Sequence, residues 1–169
     1  AEQSLSHGAD LATHDPFARA ALAALYRTTR RPDRLAKILE ELGSILASKE
    51  ARAATARERA ALLGENLDDP AAARAALERI VVEQPDDFEA LLSLARLCER
   101  EGDHAGAANQ RRRAAGLAPV ARRGSIWMDV AKAEELGGDR EGAAKALERA
   151  VEYGHANAPR EQARLLRLT

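Results

Sequence analysis

Two segments of this sequence echo each other at a fixed distance, and the echo limits the folds that the chain can adopt. Four positions of one segment correspond to four positions 34 residues later: Ala73, Leu77, Ile80 and Pro85 align with Ala107, Arg111, Ala114 and Pro119, and the first and last of each set are identical. A period of roughly 20–50 residues is typical of repeat proteins, in which one supersecondary unit is stacked on the next. A single unit cannot bury its own apolar face, so neighbouring units bury it jointly.

Apolar residues elsewhere recur at helical spacing, and Asp, Pro and Gly interrupt them. Asp15 and Pro16 have the types preferred at a helix start, and Pro32 cannot continue the helix before it. Gly102 and Asp103 end one helix and cap the next. No alternating apolar and polar run predicts a strand. The predicted helices cover about residues 15–30, 33–47, 49–66, 70–84, 86–101, 103–116, 120–136, 140–153 and 158 onwards.

The composition fits helices in close contact. Hydrophobic residues make up 46% of the chain but aromatic residues only 3%, so small and aliphatic side chains must fill the core. The formal net charge of −1 argues against a surface dedicated to nucleic acid or anionic lipid. No apolar run is long enough to span a membrane. The single cysteine, Cys98, excludes an internal disulfide and favours a reducing compartment such as the cytoplasm.

The pattern within the period resembles the tetratricopeptide repeat. Residues 88–119 match it at Leu91, Leu94, Ala95, Gly102, Ala107, Ala114 and Pro119, and residues 124–155 at Trp127, Val130, Ala131, Gly138, Ala143, Leu147 and Ala150. The resemblance implies an all-α, right-handed α-solenoid of about four helix–turn–helix repeats. The expected boundaries are 16–47, 50–85, 86–119 and 120–155 within an array over 15–155, a terminal segment or partial helix over 1–14, and a capping or truncated-repeat helix over 156–169.

Two departures from the repeat pattern bear on the structure. Arg111 stands where other repeats place a leucine on a face that should be buried. Its stem is expected to lie on the neighbouring repeat, with its head in water or paired to an acid. Glu134 replaces the aromatic residue that Tyr26 keeps, and the register makes Ala61 the small buried residue of the second repeat.

The resemblance implies a non-catalytic scaffold that holds a peptide, helix or protein partner in a concave groove lined by the first helix of each pair. A ligand with acidic residues beside an apolar anchor would suit this groove. The alternative for each charged residue is a solvated helix face. No catalytic constellation is visible, and no cofactor or metal is expected. The predicted groove residues are Arg27, Leu62, Glu89, Leu92, Arg96, Arg100, Met128, Lys132 and Leu136.

Other functions are open to particular segments. A basic patch of Arg112, Arg113, Arg122 and Arg123 could bind RNA or an acidic partner. No aromatic stacking residues accompany it, so solvation is preferred and a nucleic-acid partner is not expected. Self-association is the second candidate function, through terminal apolar segments over residues 5–11 and 165–168. His7 and His14 would share a face if their terminal stretch were helical, but no metal site is predicted there.

Overall fold

The computed structural model describes residues 15–167, and within them the chain forms nine α-helices and no strand. The chain divides into two compact units, Ala1–Glu83 and Gln84–Thr169, of which the first holds α1–α4 and the second α5–α9. The helices are α1 (Pro16–Thr28), α2 (Pro32–Ile45), α3 (Lys49–Glu65), α4 (Pro70–Glu83), α5 (Phe88–Arg100), α6 (His104–Leu117), α7 (Val120–Leu136), α8 (Arg140–Glu152) and α9 (Ala158–Leu166).

Local sequence signals set most helix starts. The Asp15 carboxylate accepts a hydrogen bond from the Phe17 backbone N–H, and Pro16 occupies the first helical position. An aspartate there satisfies one of the N–H groups that a helix leaves free, and proline gives up no intrahelical bond. The same capping recurs in the second unit at the starts of α5, α6 and α8, where the caps are Asp87, Asp103 and Asp139.

The core of the first unit is built from large apolar side chains. Leu22, Ala23 and Tyr26 of α1 pack against a matching stripe of α2. Leu62 of α3 packs on the outside of this cluster and is half-buried. The α2 stripe consists of Leu35, Ile38 and Leu39.

The predicted register of α3 is wrong by one residue. Ala61 is exposed, whereas Ala60, Leu63 and Gly64 are buried. Burying Leu63 removes more apolar surface from water than burying Ala61 would. The helix is therefore rotated about its axis so that Leu63 faces the core. An uninterrupted apolar run gives no polar residue to fix which side faces inwards.

The core of the second unit is built largely from small side chains. Four alanines of α6 are each 1% exposed or less: Ala107, Ala108, Ala114 and Ala115. Helices α5 and α7 both pack against α6, and α8 packs against α7. Alanine lets helix backbones approach closely, which compensates for the scarcity of aromatic residues. The larger members of this core are Cys98, Val130, Leu147 and Leu165.

The hairpin turns of the two units differ in their residue types. In the second unit the chain takes positive φ at Gly102 (76°) and Gly138 (83°), which link α5 to α6 and α7 to α8. In the first unit the positive-φ residues are Arg30 (53°) and Asp68 (52°), at the α1–α2 and α3–α4 turns. Only glycine adopts this conformation without steric cost.

Candidate functional site

Helices α5 and α7 of the second unit meet near their N-terminal ends. The start of α7 touches the start of α5: Arg122 Nη1 lies 3.5 Å from Glu89 Oε1. The Arg122 guanidinium also lies 4.6 Å from the centre of the Phe88 ring. Each of these helices is the first of its pair, which is the position that the sequence assigned to the binding groove.

The side chains that point away from the core form what we call the α5–α7 face. On each helix one row of residues, spaced four apart, combines apolar and basic side chains, and the two rows occupy positions 36 residues apart. Arg96, Arg100, Lys132 and Leu136 are exposed, whereas Leu92 and Met128 are half-buried. The face comprises Glu89, Leu92, Arg96, Glu99 and Arg100 of α5, and Met128, Asp129, Lys132, Glu135 and Leu136 of α7.

Two carboxylates of the α5–α7 face are held by arginines from other helices. Arg111 of α6 donates to both oxygens of Glu99, at 2.5 and 2.8 Å. Arg164 of α9 donates to both oxygens of Glu135, at 2.9 and 2.6 Å. Such bidentate pairs are strong and fix geometry as well as charge.

These bonds also keep the two carboxylates ionised. Hydrogen bonds from Arg111 lower the pKa of Glu99, partial burial opposes them, and the positive charges of Arg111 and Lys132 add to the lowering. Hydrogen bonds from Arg164 likewise lower the pKa of Glu135 against partial burial. Both acids are therefore charged and neutralised by arginine at neutral pH.

The basic residues of the face have no such partners. Within residues 15–167, Arg96, Arg100 and Lys132 make no ion pair and no hydrogen bond through their side chains. In the same described region, Asp129 is the one carboxylate of the face that no basic side chain holds within 4.0 Å. The face therefore presents an excess of positive charge beside Leu92, Met128 and Leu136.

The predicted groove residues of the first unit are engaged within that unit. Arg27 of α1 donates to both oxygens of Glu58 of α3, at 2.6 and 2.7 Å. Leu62 packs against the core cluster of α1 and α2. The structure therefore leaves these two predicted contact residues less available than those of the α5–α7 face.

Two consecutive arginines of α6 bind helices on opposite sides. Arg111, 8% exposed, binds Glu99 of α5, and Arg112 binds Glu134 of α7. Glu134 is only 5% exposed. Its carboxylate carbon packs against Gly142 of α8, because a Cβ atom added at Gly142 would lie only 3.1 Å from that carbon. The acid that replaces an aromatic residue in the repeat pattern is thus one half of an interhelical ion pair.

The other members of the predicted basic patch also have separate contacts. Arg122 binds Glu89, and Arg113 donates to the Gln110 side chain. Arg123 donates through Nε to the backbone oxygen of Ala118 at 2.9 Å and lies 5.6 Å from the centre of the Tyr153 ring. These contacts direct the four arginines to different neighbours.

Sequence reasoning missed Glu99, and it did not predict the arginine partners of the two acids that shape the face. Glu99 and Glu135 stand 36 residues apart, at equivalent positions of two repeats, and this recurrence was visible in the sequence. Their arginine partners follow them by 12 and 29 residues. Because the two acids are separated from their arginines by different numbers of residues, the repeat period does not predict the pairs. Only the folded structure identifies them.

An open cavity of about 370 Å³ lies on another side of the second unit. Trp127 lines it together with Arg112, Lys145 and Arg149. Each of these three cations already has an acid partner: Glu134, Glu141 and Glu152 respectively. The cavity therefore offers no unpaired positive charge.

Several sequence hypotheses concern the chain ends or particular ligands. Leu165 is buried within the second unit, whereas Leu166 is 64% exposed. His7, His14, the segment 5–11 and Leu168 lie outside the described residues.

Between residues 15 and 167, no group of His, Cys, Asp and Glu side chains is arranged to hold a metal ion. Over the same range, no helix combines the length and apolar character needed to cross a membrane.

Comparison with solved structures identifies the fold. MamA superposes with a TM-score of 0.69 at 18% identity, covering 94% of this chain and 83% of that one. YrrB, described as a TPR protein with an unusual peptide-binding site, gives 0.67 at 16%, covering 96% and 81%. A putative kinesin light chain from Podospora anserina with nearly identical TPR-like repeats gives 0.64 at 20%, covering 91% and 88%.

No protein-family profile and no curated protein matches the sequence. At these low identities the superpositions establish the fold alone. The chain has the all-α fold of tetratricopeptide-repeat proteins, which confirms the predicted fold class.

Proposed function

We propose that this protein is a non-catalytic interaction scaffold whose second unit binds a peptide or helical segment of a partner protein on the α5–α7 face. The observation that supports this most is the uneven pairing of charge on that face. Arginines from α6 and α9 hold Glu99 and Glu135, while Arg96, Arg100 and Lys132 remain unpaired within the described residues.

Unpaired exposed charges are individually common on helix surfaces. Here Arg96 and Lys132 occupy equivalent positions on α5 and α7, next to apolar side chains of the same rows. Interfaces combine apolar anchors with charged groups that set orientation and partner choice. YrrB, which shares the fold, is described as having a peptide-binding site, and this agrees with a peptide or protein partner for the present chain.

The proposal can be tested before the natural partner is identified. Peptides are selected from a random displayed library on the intact protein, and their affinities are measured by fluorescence anisotropy. Leu92→Glu and Arg96→Glu should each weaken binding by about tenfold or more, since each removes a contact and introduces a charge of the wrong sign. Arg160→Glu is the matched control, because Arg160 is exposed on α9 and makes no side-chain ion pair within residues 15–167.

Circular dichroism and thermal melting must show that the variants fold as the wild type does. If the selected peptides bind Leu92→Glu and Arg96→Glu as tightly as the wild type, the α5–α7 face is not the binding surface. Light scattering on the same samples tests the alternative of self-association, which predicts a molecular mass that rises with protein concentration.

A further inference from the structure

We infer that the open cavity beside Trp127 receives an arginine side chain of a partner protein. The cavity lies in the second unit, between residues of α6, α7 and α8, and none of its lining residues belongs to the α5–α7 face. It is therefore a second binding site, separate from the surface of the proposed function. The size, the charges and the aromatic ring of the cavity support this assignment.

The cavity is small and open to solvent. Its volume of about 370 Å³ is near the lower end of the range for ligand pockets, roughly 300–1,000 Å³. Gly142 and Ala146 of α8 border it with a missing and a short side chain, which leaves this space open. It has room for one long side chain, but not for a helix, which is about 10 Å across.

The charges in and around the cavity leave one acid over. Three cations line it, and each is close to an acid of its own: Arg112, Lys145 and Arg149 pair with Glu134, Glu141 and Glu152, respectively. Glu148 also lines the cavity and forms no ion pair within residues 15–167. Four acids therefore accompany three cations, and this excess of one negative charge favours a cationic ligand.

The ring of Trp127 is the second feature that suits a cation. Cations are attracted to the faces of aromatic rings, and tryptophan is the best acceptor. This chain already contains such contacts: arginine guanidinium carbons lie 4.6, 5.6 and 6.0 Å from the ring centres of Phe88, Tyr153 and Tyr26, respectively. No cation of residues 15–167 lies over the Trp127 ring. The ring is therefore available to a cation from a partner.

Arginine uses both features better than lysine does. Its planar guanidinium can stack on an aromatic ring while its N–H groups donate to a carboxylate at its edge. Trp127 and Glu148 border the same small cavity, so one guanidinium inside it can contact both. A lysine ammonium is compact and more strongly hydrated, and it does not stack in this way.

An acidic ligand is disfavoured by the same arrangement. It would meet the unpaired charge of Glu148, and it would have to replace the acids that already hold the lining cations. One of these acids, Glu134, is 5% exposed, so removing its arginine would leave a buried charge alone.

Nuclear magnetic resonance of the intact, isotope-labelled protein tests this inference. Trp127 is the single tryptophan, so its indole N–H gives one signal of known origin. The probes are capped tripeptides that carry arginine, citrulline, leucine or glutamate between two glycines. The arginine peptide should shift the indole signal and saturate it in about the millimolar range, at least about fivefold more tightly than citrulline, which has the same shape without the charge. Added salt should weaken this binding.

Single substitutions then assign the contact. Glu148→Gln should weaken binding of the arginine peptide by about twofold to fivefold, because it removes the carboxylate and keeps the shape of the side chain. Glu65→Gln is the matched control, since Glu65 is an exposed glutamate of α3 in the first unit that forms no ion pair within residues 15–167. Arg96→Glu on the α5–α7 face should leave binding of the arginine peptide unchanged, which separates this site from the proposed function.

Four outcomes would each overturn the inference. They are an indole signal that no peptide shifts, equal affinity for the arginine and citrulline peptides, tighter binding of the leucine or glutamate peptide, and equal effects of Glu148→Gln and Glu65→Gln.

Discussion

The turns of the second unit pass through positive φ at glycines, whereas those of the first place Arg30 and Asp68 in the same region. Both units nevertheless close α-helical hairpins. A residue with a side chain has a cost of about 1–2 kcal/mol in this conformation, although aspartate tolerates it better than arginine. The contrast shows that tertiary packing can hold a turn whose own residues oppose it, at the expense of stability in that unit.

Bidentate arginine–glutamate pairs occur in both units, but they involve different surfaces. In the first unit, Arg27 and Glu58 join the exposed sides of α1 and α3 directly. In the second, the acids of the α5–α7 face turn to arginines of α6 and α9, and the cations of the face stay unpaired within the described residues. A face becomes available for a partner when its acids are paired with residues outside it, and the α5–α7 face shows this arrangement within residues 15–167.

The largest expected effect comes from breaking the Arg111–Glu99 pair. Glu99→Ala should destabilise the second unit by about 3 kcal/mol, because a nearly buried guanidinium loses its partner. Trp127, the single tryptophan, lies in this unit and reports its unfolding by fluorescence in urea. Glu148→Ala removes an exposed acid with no ion pair within residues 15–167, and is the control.

The same site allows a rescue. Arg111→Leu restores the leucine of the repeat pattern, so the double variant with Glu99→Ala should recover most of the lost stability. Equal losses of unfolding free energy in Glu99→Ala and Glu148→Ala would show that the Arg111–Glu99 ion pair does not stabilise the second unit.

A smaller effect is expected at the glycine turns. Gly102→Ala should lower the stability of the second unit by about 1–2 kcal/mol, because its φ of 76° is unfavourable for any side chain. A Cβ there meets no atom within 4 Å, so the backbone conformation alone is responsible. Gly116→Ala is a control in α6 that also has free space and has no positive φ. A loss no larger than in Gly116→Ala would contradict this explanation.

The opposite change in the first unit should stabilise it. Arg30→Gly removes the strain at a φ of 53°, and the greater flexibility of glycine in the unfolded chain offsets part of the gain. The expected net increase is about 0.5–1 kcal/mol. Circular dichroism should show a higher unfolding midpoint without a matching shift in Trp127 fluorescence. A decrease would mean that the Arg30 side chain stabilises the turn more than its backbone conformation costs.

The smallest expected effect is a pH dependence of the second unit. The pKa of Glu99 is lowered on folding, chiefly by hydrogen bonds from Arg111, so the ionised carboxylate favours the folded state. This contribution is complete above the ordinary glutamate pKa of about 4.3 and is lost as the pH falls through the lower folded value. The stability difference between wild type and Glu99→Gln should therefore shrink on acidification. A constant difference across this range would exclude the linkage.

Features set by neighbours in the chain were predictable from the sequence. Helix starts follow from an aspartate and the residues just after it, as at Asp15 and Asp103, because a cap bonds to a backbone N–H two or three residues away. The echo of 34 residues indicated the repeat fold, since periodic burial requires periodic apolar residues.

Features set by contact between helices were not predictable in the same way. The sequence marked Arg111 and Glu134 as departures from the pattern, but their partners Glu99 and Arg112 depend on how the helices pack. The register of α3 was missed at Ala61, because an all-apolar run is compatible with more than one rotation of the helix. The sequence pointed to the apolar and basic side chains of the face, but not to Glu99, and which of its charges stay unpaired emerges only from the folded pairs.

The adjacent arginines of α6 have a consequence for how this chain can evolve. Arg111 requires a glutamate on the helix before it, and Arg112 neutralises a buried glutamate on the helix after it. Arg111 and Glu99 lie in the same helical hairpin, so copying that hairpin whole preserves their pair. Arg112 and Glu134 lie in successive hairpins, so an insertion or deletion that separated them would leave the buried Glu134 without its arginine, at a cost of several kcal/mol.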